Sequence, residues 1–318
     1  MSHFLVTGGA GFIGRALCAR LAAAGHDLTV LDDFSSGIRA GLPPGVRVIE
    51  ADICDAAAIA AALYGTHGVF HLAAISSVEA CTERRAETNR TNLHGTVTLL
   101  EQLGPRPVVY TSSAAIYGEQ AALPIGEGAT PDPISPYAVD KLASERHCQI
   151  AAHLRGGRAM VVRPFNVFGP GQSPSSPYAG VITRFVTLAV AGLPITVNGD
   201  GGQVRDFIHV ADVARALDAA MGLAMTDDPG TVRRYNLCSG RPVSVVDLAE
   251  RIEARAGSHA ARHHGPSRAG DIRQSIGDPS RARDELGFAA EISLDAGLDE
   301  LIEAARATWR ATGGAAGA

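Results

Sequence analysis

A chain of 318 residues, 46% hydrophobic and 19% charged, is long enough to bury a large core and ordinary in make-up for a globular enzyme. A formal charge of −5 gives no basic footprint for nucleic acid, and no apolar run approaches membrane-spanning length. Neither a nucleic-acid partner nor a membrane is therefore expected. No charged leader with an apolar signal core precedes Phe4-Leu5-Val6-Thr7, which predicts a cytoplasmic protein. Cys18, Cys54, Cys81, Cys148 and Cys238 are odd in number and widely spaced without a C-x-x-C pair, so they read as reduced structural thiols and no metal site is expected.

Residues 3 to 7 form a short apolar run, followed by Gly8-Gly9-Ala10-Gly11-Phe12-Ile13-Gly14 and a helical pattern through Leu17, Leu21 and Ala24 to a stop at Gly25. Strand, glycine turn and helix in that order are the context a dinucleotide fingerprint requires. Gly8 allows the tight turn, Gly11 lets the backbone approach a pyrophosphate, and Gly14 permits close packing of helix on strand. The helix N-terminus then offers free N–H groups to phosphate. The second strand, Leu28-Thr29-Val30-Leu31, ends in Asp32, where a carboxylate accepts ribose hydroxyls and repels a 2′-phosphate. That favours NAD over NADP, the alternative being that Asp32 caps a turn with Ser35 and Ser36.

A third strand, Val46 to Ile49, leads to Asp52 and Ile53, which could hold an adenine. The fourth, Val69 to Ala74, ends in small residues that let a cofactor pass closely; its His71 reads as a hydrogen-bonded core residue rather than a catalyst. Asn92 opens a helix through Val97, Leu100 and Leu103, its side chain either facing the cofactor or satisfying backbone. The fifth strand, Pro107 to Tyr110, ends in Thr111-Ser112-Ser113. Alternating strands and helices argue for α/β architecture, a Rossmann-type doubly wound parallel sheet with its ligand crevice at the carboxyl ends of the strands. Gly8, Asp32, Asp52, Ala73 and Ser113 all fall at such ends.

Of the 28 basic residues 27 are arginine, and the single lysine is Lys141 in Ser135-Pro136-Tyr137-Ala138-Val139-Asp140-Lys141. A lone lysine marks a place where a compact, pKa-shiftable ammonium is required. Ser135 suits a helix cap and Pro136 the first turn, so Tyr137 and Lys141 share one face. An ammonium that favours phenolate would make Tyr137 a usable base nearer neutrality than its ordinary pKa of ~10. The alternative is a surface tyrosine beside a surface lysine.

With TGGAGFIG at 7 to 14, LDDFSSG at 31 to 37, HLAA at 71 to 74, TSSAAIYG at 111 to 118, YAVDK at 137 to 141, RPFNVFGPGQ at 163 to 172 and VRDFIHVADVA at 204 to 214, the chain resembles the extended short-chain dehydrogenase/reductase family. Within it, the resemblance is to nucleotide-sugar 4-epimerases of the UDP-galactose epimerase type. It implies Tyr137 as base, Ser113 as the residue that binds the sugar hydroxyl and shuttles its proton, and Lys141 as the residue that holds the nicotinamide ribose and lowers the tyrosine pKa. It further implies NAD contacts from Gly8, Gly11, Phe12, Ile13, Asp32, Asp33, Ser36, Gly37, Asp52, Ile53, Leu72, Ala73, Ala74, Asn92, Thr111 and Pro164. Substrate contacts would come from Ser76, Asn166, Val181, Thr196, Val197, Asn198, Arg205, Arg268, Asp271 and Ser275, with Asn166, Arg205 and Arg268 on the diphosphate. For Arg205, ion pairing with Asp206 is the competing role.

Relatives that dehydrate, decarboxylate or 3,5-epimerise place a glutamate or cysteine where this chain has Ala114-Ala115, and alanine has no proton to transfer. The loop Ser173 to Tyr178 resembles the substrate loop of bacterial epimerases, and no arginine lies between Arg163 and Arg184 to meet a glucuronate carboxylate. Ser275 aligns with a gate that is small where N-acetylhexosamines are accepted. The expected activity is C4 inversion of a UDP-hexose (UDP-glucose/galactose or UDP-GlcNAc/GalNAc) through a 4-keto sugar with NAD. Relatives using GDP, CDP or dTDP sugars share these motifs, a dehydratase on the same scaffold is the alternative, and a non-catalytic NAD-binding sensor is a remoter one. The expected division is 1–165 as the NAD-binding domain, with 204–224 returning to it, and 166–203 and 225–318 as a smaller α/β lobe for the sugar nucleotide. That lobe would contain helices near 178–191, 245–256 and 294–311, strands such as Tyr235-Asn236-Leu237, and a frayed tail from Thr312. The resemblance also implies a homodimer built on helices near 91–104 and 136–154.

Overall fold

The apolar run near the N-terminus forms β1 (His3–Thr7), whose period of two sends Phe4 and Val6 into one core and Leu5 into another. The computed structural model describes residues 1–172, 180–267 and 272–311. After β1 come α1 (Phe12–Ala23), β2 (Asp27–Asp32), β3 (Arg47–Glu50), α2 (Ala56–Leu63), β4 (Gly68–His71), α3 (Val78–Glu83) and α4 (Arg85–Asn89). A π-turn, Arg90–His94, runs from α4 into α5 (Gly95–Leu103), followed by β5 (Pro107–Thr111), α6 (Pro136–Arg155) and β6 (Arg158–Pro164). The remainder comprises β7 (Asn166–Phe168), α7 (Val181–Val190), β8 (Thr196–Asn198), β9 (Val204–His209), α8 (Val210–Ala224), β10 (Val232–Leu237) and β11 (Pro242–Ser244). Then follow α9 (Val245–Ala256), β12 (His263–Gly265), β13 (Gln274–Ser275), α10 (Ser280–Leu286) and α11 (Leu294–Ala311).

Seven strands make one parallel sheet in the order β10-β6-β5-β4-β1-β2-β3. β1 lies between β2 and β4, with Thr7 in register with Leu31 and His71. The winding reverses there, so a crevice opens at the carboxyl ends of β1 and β4. On one face α1 and α8 bring Leu17, Leu21, Val213, Leu217 and Met221 against Val6, Val30 and Phe70. On the other, α2, α5 and α6 bring Ile59, Leu99, Leu103 and Cys148 against Leu5, Leu31 and Val108. Each fully buried leucine or valine contributes about 1.5–3 kcal/mol. Covered on both faces, the sheet presents its strand ends as a rigid platform.

The smaller sheet centres on β9, which pairs with β7, β11 and β13, while β8 pairs with β12. Ile182, Phe185, Leu248, Ile252, Leu298 and Leu301 from α7, α9 and α11 pack into its core. Two stretches depart from the expected division. Tyr235-Asn236-Leu237 belongs to β10, the edge strand of the large sheet beside β6, and not to the smaller lobe. Of the stretch 204–224, α8 packs against α1, whereas β9 is the centre of the small sheet. The helix carries its address in an apolar stripe that fits the α1 side of the sheet; a short buried strand reads the same in either sheet.

Candidate active site

The glycine turn after β1 is built by contact. Gly8 has a φ of 68°, and a Cβ there would lie 2.6 Å from the Ala73 backbone nitrogen, so the ends of β1 and β4 approach closely. A Cβ on Gly14 would lie 2.2 Å from the Gly8 carbonyl oxygen, which is why α1 seats directly on the turn. Gly11 differs: a Cβ would meet only the Gly8 oxygen, at 3.2 Å, and Gly11 caps α1 with Phe12 and Ile13 in the first turn. At the end of β2, Asp32 is buried, accepting the Ala10 and Phe34 N–H groups at 2.9 Å each and keeping a second lone pair on each oxygen. Burial pushes its pKa up, against those two N–H groups.

Asp33 turns outward and accepts the Ser35 N–H and hydroxyl, Ser36 is exposed, and Gly37 packs against Ala10 and Asp32. Asp52 accepts the Cys54 N–H at 2.8 Å and Arg90 Nη1 at 2.6 Å. Burial opposes its charge, yet these donors hold its pKa below the ordinary carboxylate value. Ile53 is buried beneath Gly95, whose missing Cβ would meet it at 2.5 Å.

His71 is wholly buried, bridged by the Thr7 hydroxyl at 2.7 Å and the Thr96 hydroxyl at 2.9 Å. Burial, then Lys141, pushes it down to about 3, so it is a neutral core residue. Leu72, Ala73 and Ala74 continue beyond β4 as a half-buried loop. Asn92 satisfies backbone: its Oδ1 accepts the Ile75 N–H at 2.8 Å and its Nδ2 donates to the Ile75 carbonyl at 3.1 Å, pinning that loop. The π-turn aims it there, since the widened turn displaces one side chain from the α-helical face.

Ser113 lies two residues beyond β5 and caps a 3-10 turn over Ala114–Tyr117, accepting the Ala115 N–H at 3.1 Å. Ser135 caps α6 through the Ala138 N–H at 3.2 Å with Pro136 behind it. Tyr137 and Lys141 are both buried, so the surface alternative is excluded. Lys141 Nζ donates to the Thr111 carbonyl at 2.7 Å and lies 5.8 Å from the Tyr137 ring centroid. Burial pulls Lys141 down to about 8, against nearby Cys148, Glu145, Cys81 and Asp140. Burial also pushes Tyr137 up to about 12, opposed by a hydrogen bond with Ser113. The ammonium is turned to the Thr111 carbonyl, and burial is the largest influence on Tyr137. Thr111 Oγ1 and Ser112 Oγ are buried without a partner among the described residues, and Pro164 is buried at the end of β6.

On the substrate side, Asn166 donates to the Asp206 carbonyl at 2.8 Å, and Val181 opens α7. Arg205 of β9 and Ser275 of β13 stand in register. The Asp206 carboxylate is taken by the Ser239 N–H and hydroxyl and the Gly240 N–H. Thr196 and Ser76 are exposed, Asn198 is half-buried, and Val197 lies in the hydrophobic core, leaving only its backbone for any ligand. Arg268, Asp271, the Ser173 to Tyr178 loop and the tail from Thr312 lie outside the described residues.

Sequence reasoning gave no role to Glu145, one turn beyond Lys141 and buried. It accepts Arg163 Nε at 2.9 Å and Nη2 at 2.7 Å. Tyr117 and Asn236 extend this network, the Tyr117 hydroxyl accepting Arg163 Nη1 at 2.8 Å and donating to Asn236 Oδ1 at 2.7 Å. The signal was present in the spacing of residues 137, 141 and 145 on one helix face.

The profile of the NAD dependent epimerase/dehydratase family matches residues 4–238. The chain belongs to this family. Within the family, it is 36% identical over 309 residues to the UDP-glucose 4-epimerase of Mycolicibacterium smegmatis, covering 94% of this chain and 97% of that one. The crystal structure of UDP-glucose 4-epimerase with UDP-glucose from Thermotoga maritima superimposes with a TM-score of 0.91 at 34% identity, covering 96% of this chain and 99% of that one. UDP-N-acetylglucosamine 4-epimerase from Methanobrevibacter ruminantium, in complex with UDP-N-acetylmuramic acid, gives 0.88 at 30% identity over 95% and 97%. The residues of this chain fit the family's NAD. Gly11 leaves the helix N-terminus open, Asp32 keeps free lone pairs, and the unpartnered Thr111 and Ser112 hydroxyls lie at the carboxyl end of the sheet. Among the described residues no helix is long and apolar enough to cross a membrane, and no cluster of side chains suits a metal ion.

Proposed function

We propose that this family member is an NAD-dependent nucleotide-sugar 4-epimerase that inverts C4 of a UDP-hexose through a transient 4-keto sugar. The observation that carries this reading is the gathering of buried Tyr137 and Lys141 beside Ser113, followed at once by two alanines without a transferable proton. Gly8, Gly11, Phe12 and Ile13 would hold the NAD pyrophosphate and Asp32 the adenosine ribose, with Asp52 and Ile53 at the adenine. Leu72, Ala73, Ala74, Thr111 and Pro164 would line the nicotinamide end, where Lys141 would hold the ribose. Bound NAD supplies a reversible hydride acceptor and, in its oxidised form, a positive charge of the kind that favours a phenolate. Tyr137 takes the proton of the C4 hydroxyl and later returns it, and Ser113 holds that oxygen and relays the proton. Asn166 and Arg205 would meet the diphosphate. A small residue such as the half-buried Ser275, in register with Arg205, would admit either a hydroxyl or an acetamido group at C2.

The test is to incubate purified protein with UDP-hexoses without added NAD and follow the sugar by NMR and mass. C4 inversion at unchanged mass is expected. Loss of water, or release of free NADH, would overturn the reading in favour of a dehydratase or an oxidoreductase.

Val139, Ile150 and Leu154 form an exposed apolar stripe on α6, on the side away from Tyr137, and support a homodimer through this helix. Sedimentation should give a dimer that Leu154→Asp dissociates; a monomeric wild type would refute it. Five free cysteines support a cytoplasmic setting, which localisation of a tagged chain would check.

A further inference from the structure

The catalytic face of α6 does not end at Lys141. Tyr137, Lys141 and Glu145 follow one another at intervals of one turn, and Glu145 is 1% exposed. Opposite it on β6, Arg163 is 3% exposed and meets both carboxylate oxygens in a fork, with Arg234 farther off at 3.8 Å. A bidentate guanidinium fixes a carboxylate in direction as well as distance. The same helix is tied on its other flank by Ser144 Oγ to the Asn92 carbonyl at 3.2 Å. Lys141 itself donates to a neutral carbonyl, that of Thr111. The charged or titratable groups around it are Asp140, Glu145 and Cys148 of α6, Tyr137, Cys81 of α3, His71 of β4 and Tyr110 of β5. Of the two carboxylates among them, Asp140 is engaged by the Asn89 amide at 2.6 Å and Glu145 by Arg163.

We propose that Glu145 and Arg163 are a positioning pair for the reaction: their fork fixes the Tyr137–Lys141 face of α6 against β6, and the Glu145 carboxylate is the counter-charge for the buried Lys141 ammonium. A purely structural clasp would hold the helix in place; this one also sets the charge of the residue one turn away. The pair acts through Tyr137 and Lys141 and touches neither substrate nor cofactor. The inference deepens the epimerase reading and rests on it for its kinetic consequence, but not for its charge consequence. Lys141 is the only lysine in the chain, so its titration is observable without turnover.

Lysine labelled with 13C at Cε gives a single side-chain NMR signal whose shift reports the Lys141 charge. In the NAD-bound wild type and in Glu145→Gln, that signal is followed across the alkaline range beside kcat and KM. Removing the carboxylate leaves the buried Arg163 cation uncompensated, so the Lys141 midpoint should fall by about one pH unit. The basic limb of the kcat profile should move with it while KM stays close to that of the wild type, and Glu145→Asp should restore the midpoint. Should Glu145→Gln fail to fold, Glu145→Gln with Arg163→Met removes both charges; its Lys141 midpoint should still lie below that of the wild type, because Glu145, and not Arg163, is among the groups that hold Lys141 up. A midpoint unmoved in whichever variant folds would overturn the proposal. An absence of wild-type turnover with a shifted NMR midpoint would instead overturn only the epimerase reading.

Discussion

Replacing Lys141 with methionine should change how stability depends on pH as well as stability itself. Lys141 is held at about 8 in the folded chain, against 10.5 unperturbed, first because burial opposes its charge. The gap between those values corresponds to about 3 kcal/mol. That energy is the cost of keeping the ammonium, rather than the amine, buried. Below a pH of about 8 the folded chain bears that cost in full. Between about 8 and about 10.5 the unfolded chain still holds a proton that the folded chain has released, so stability climbs with pH. Methionine fills similar space without a charge, so the difference in unfolding free energy, wild type minus Lys141→Met, should rise by about 3 kcal/mol across that window. Urea unfolding of nucleotide-free protein, followed by far-UV circular dichroism at closely spaced pH values, measures it. Titrations of Tyr110, Tyr117 and Cys18, none of them shifted by Lys141, occur in both proteins and cancel. A flat or falling difference would refute the argument that burial dominates the state of Lys141.

Tyr137→Phe keeps the buried ring and removes the proton acceptor, so kcat should fall by about 10²- to 10⁴-fold with little change in melting temperature. Unimpaired turnover in that variant would remove the tyrosine from the mechanism. Gly14→Ala puts a Cβ 2.2 Å from the Gly8 oxygen, a clash with backbone, so it should destabilise the chain by about 1–3 kcal/mol and release NAD together with it; ultraviolet absorbance of nucleotide copurifying with the variant checks this. Asp32→Ala removes the carboxylate at the end of β2, and titration calorimetry should show weaker NAD binding and a smaller preference over NADP; an unchanged ratio would take Asp32 out of the ribose site.

The sequence by itself determined the parallel sheet, the glycine turn and the neighbourhood of Ser113, Tyr137 and Lys141. These are short-range facts. Alternation of apolar residues, the strand-turn-helix spacing around Gly8, Gly11 and Gly14, and a four-residue interval on one helix are fixed by backbone geometry over a few residues. Helices as far along as Val245–Ala256 and Leu294–Ala311 were legible for the same reason. What only the tertiary structure decided depends on partners distant in the chain. Tyr235-Asn236-Leu237 reads as a strand in either lobe, and only its register with β6 places it in the large sheet. That Asn92 clamps backbone shows only when Ile75, 17 residues earlier, is brought against it. The state of Tyr137 and Lys141 is of the same kind. Spacing makes them neighbours, but their charges are set first by burial, then by Ser113 for Tyr137 and by groups such as Cys148 and Glu145 for Lys141. Burial is a property of the whole fold, and it acts on ionisable groups with energies as large as those of the local contacts that spacing reveals.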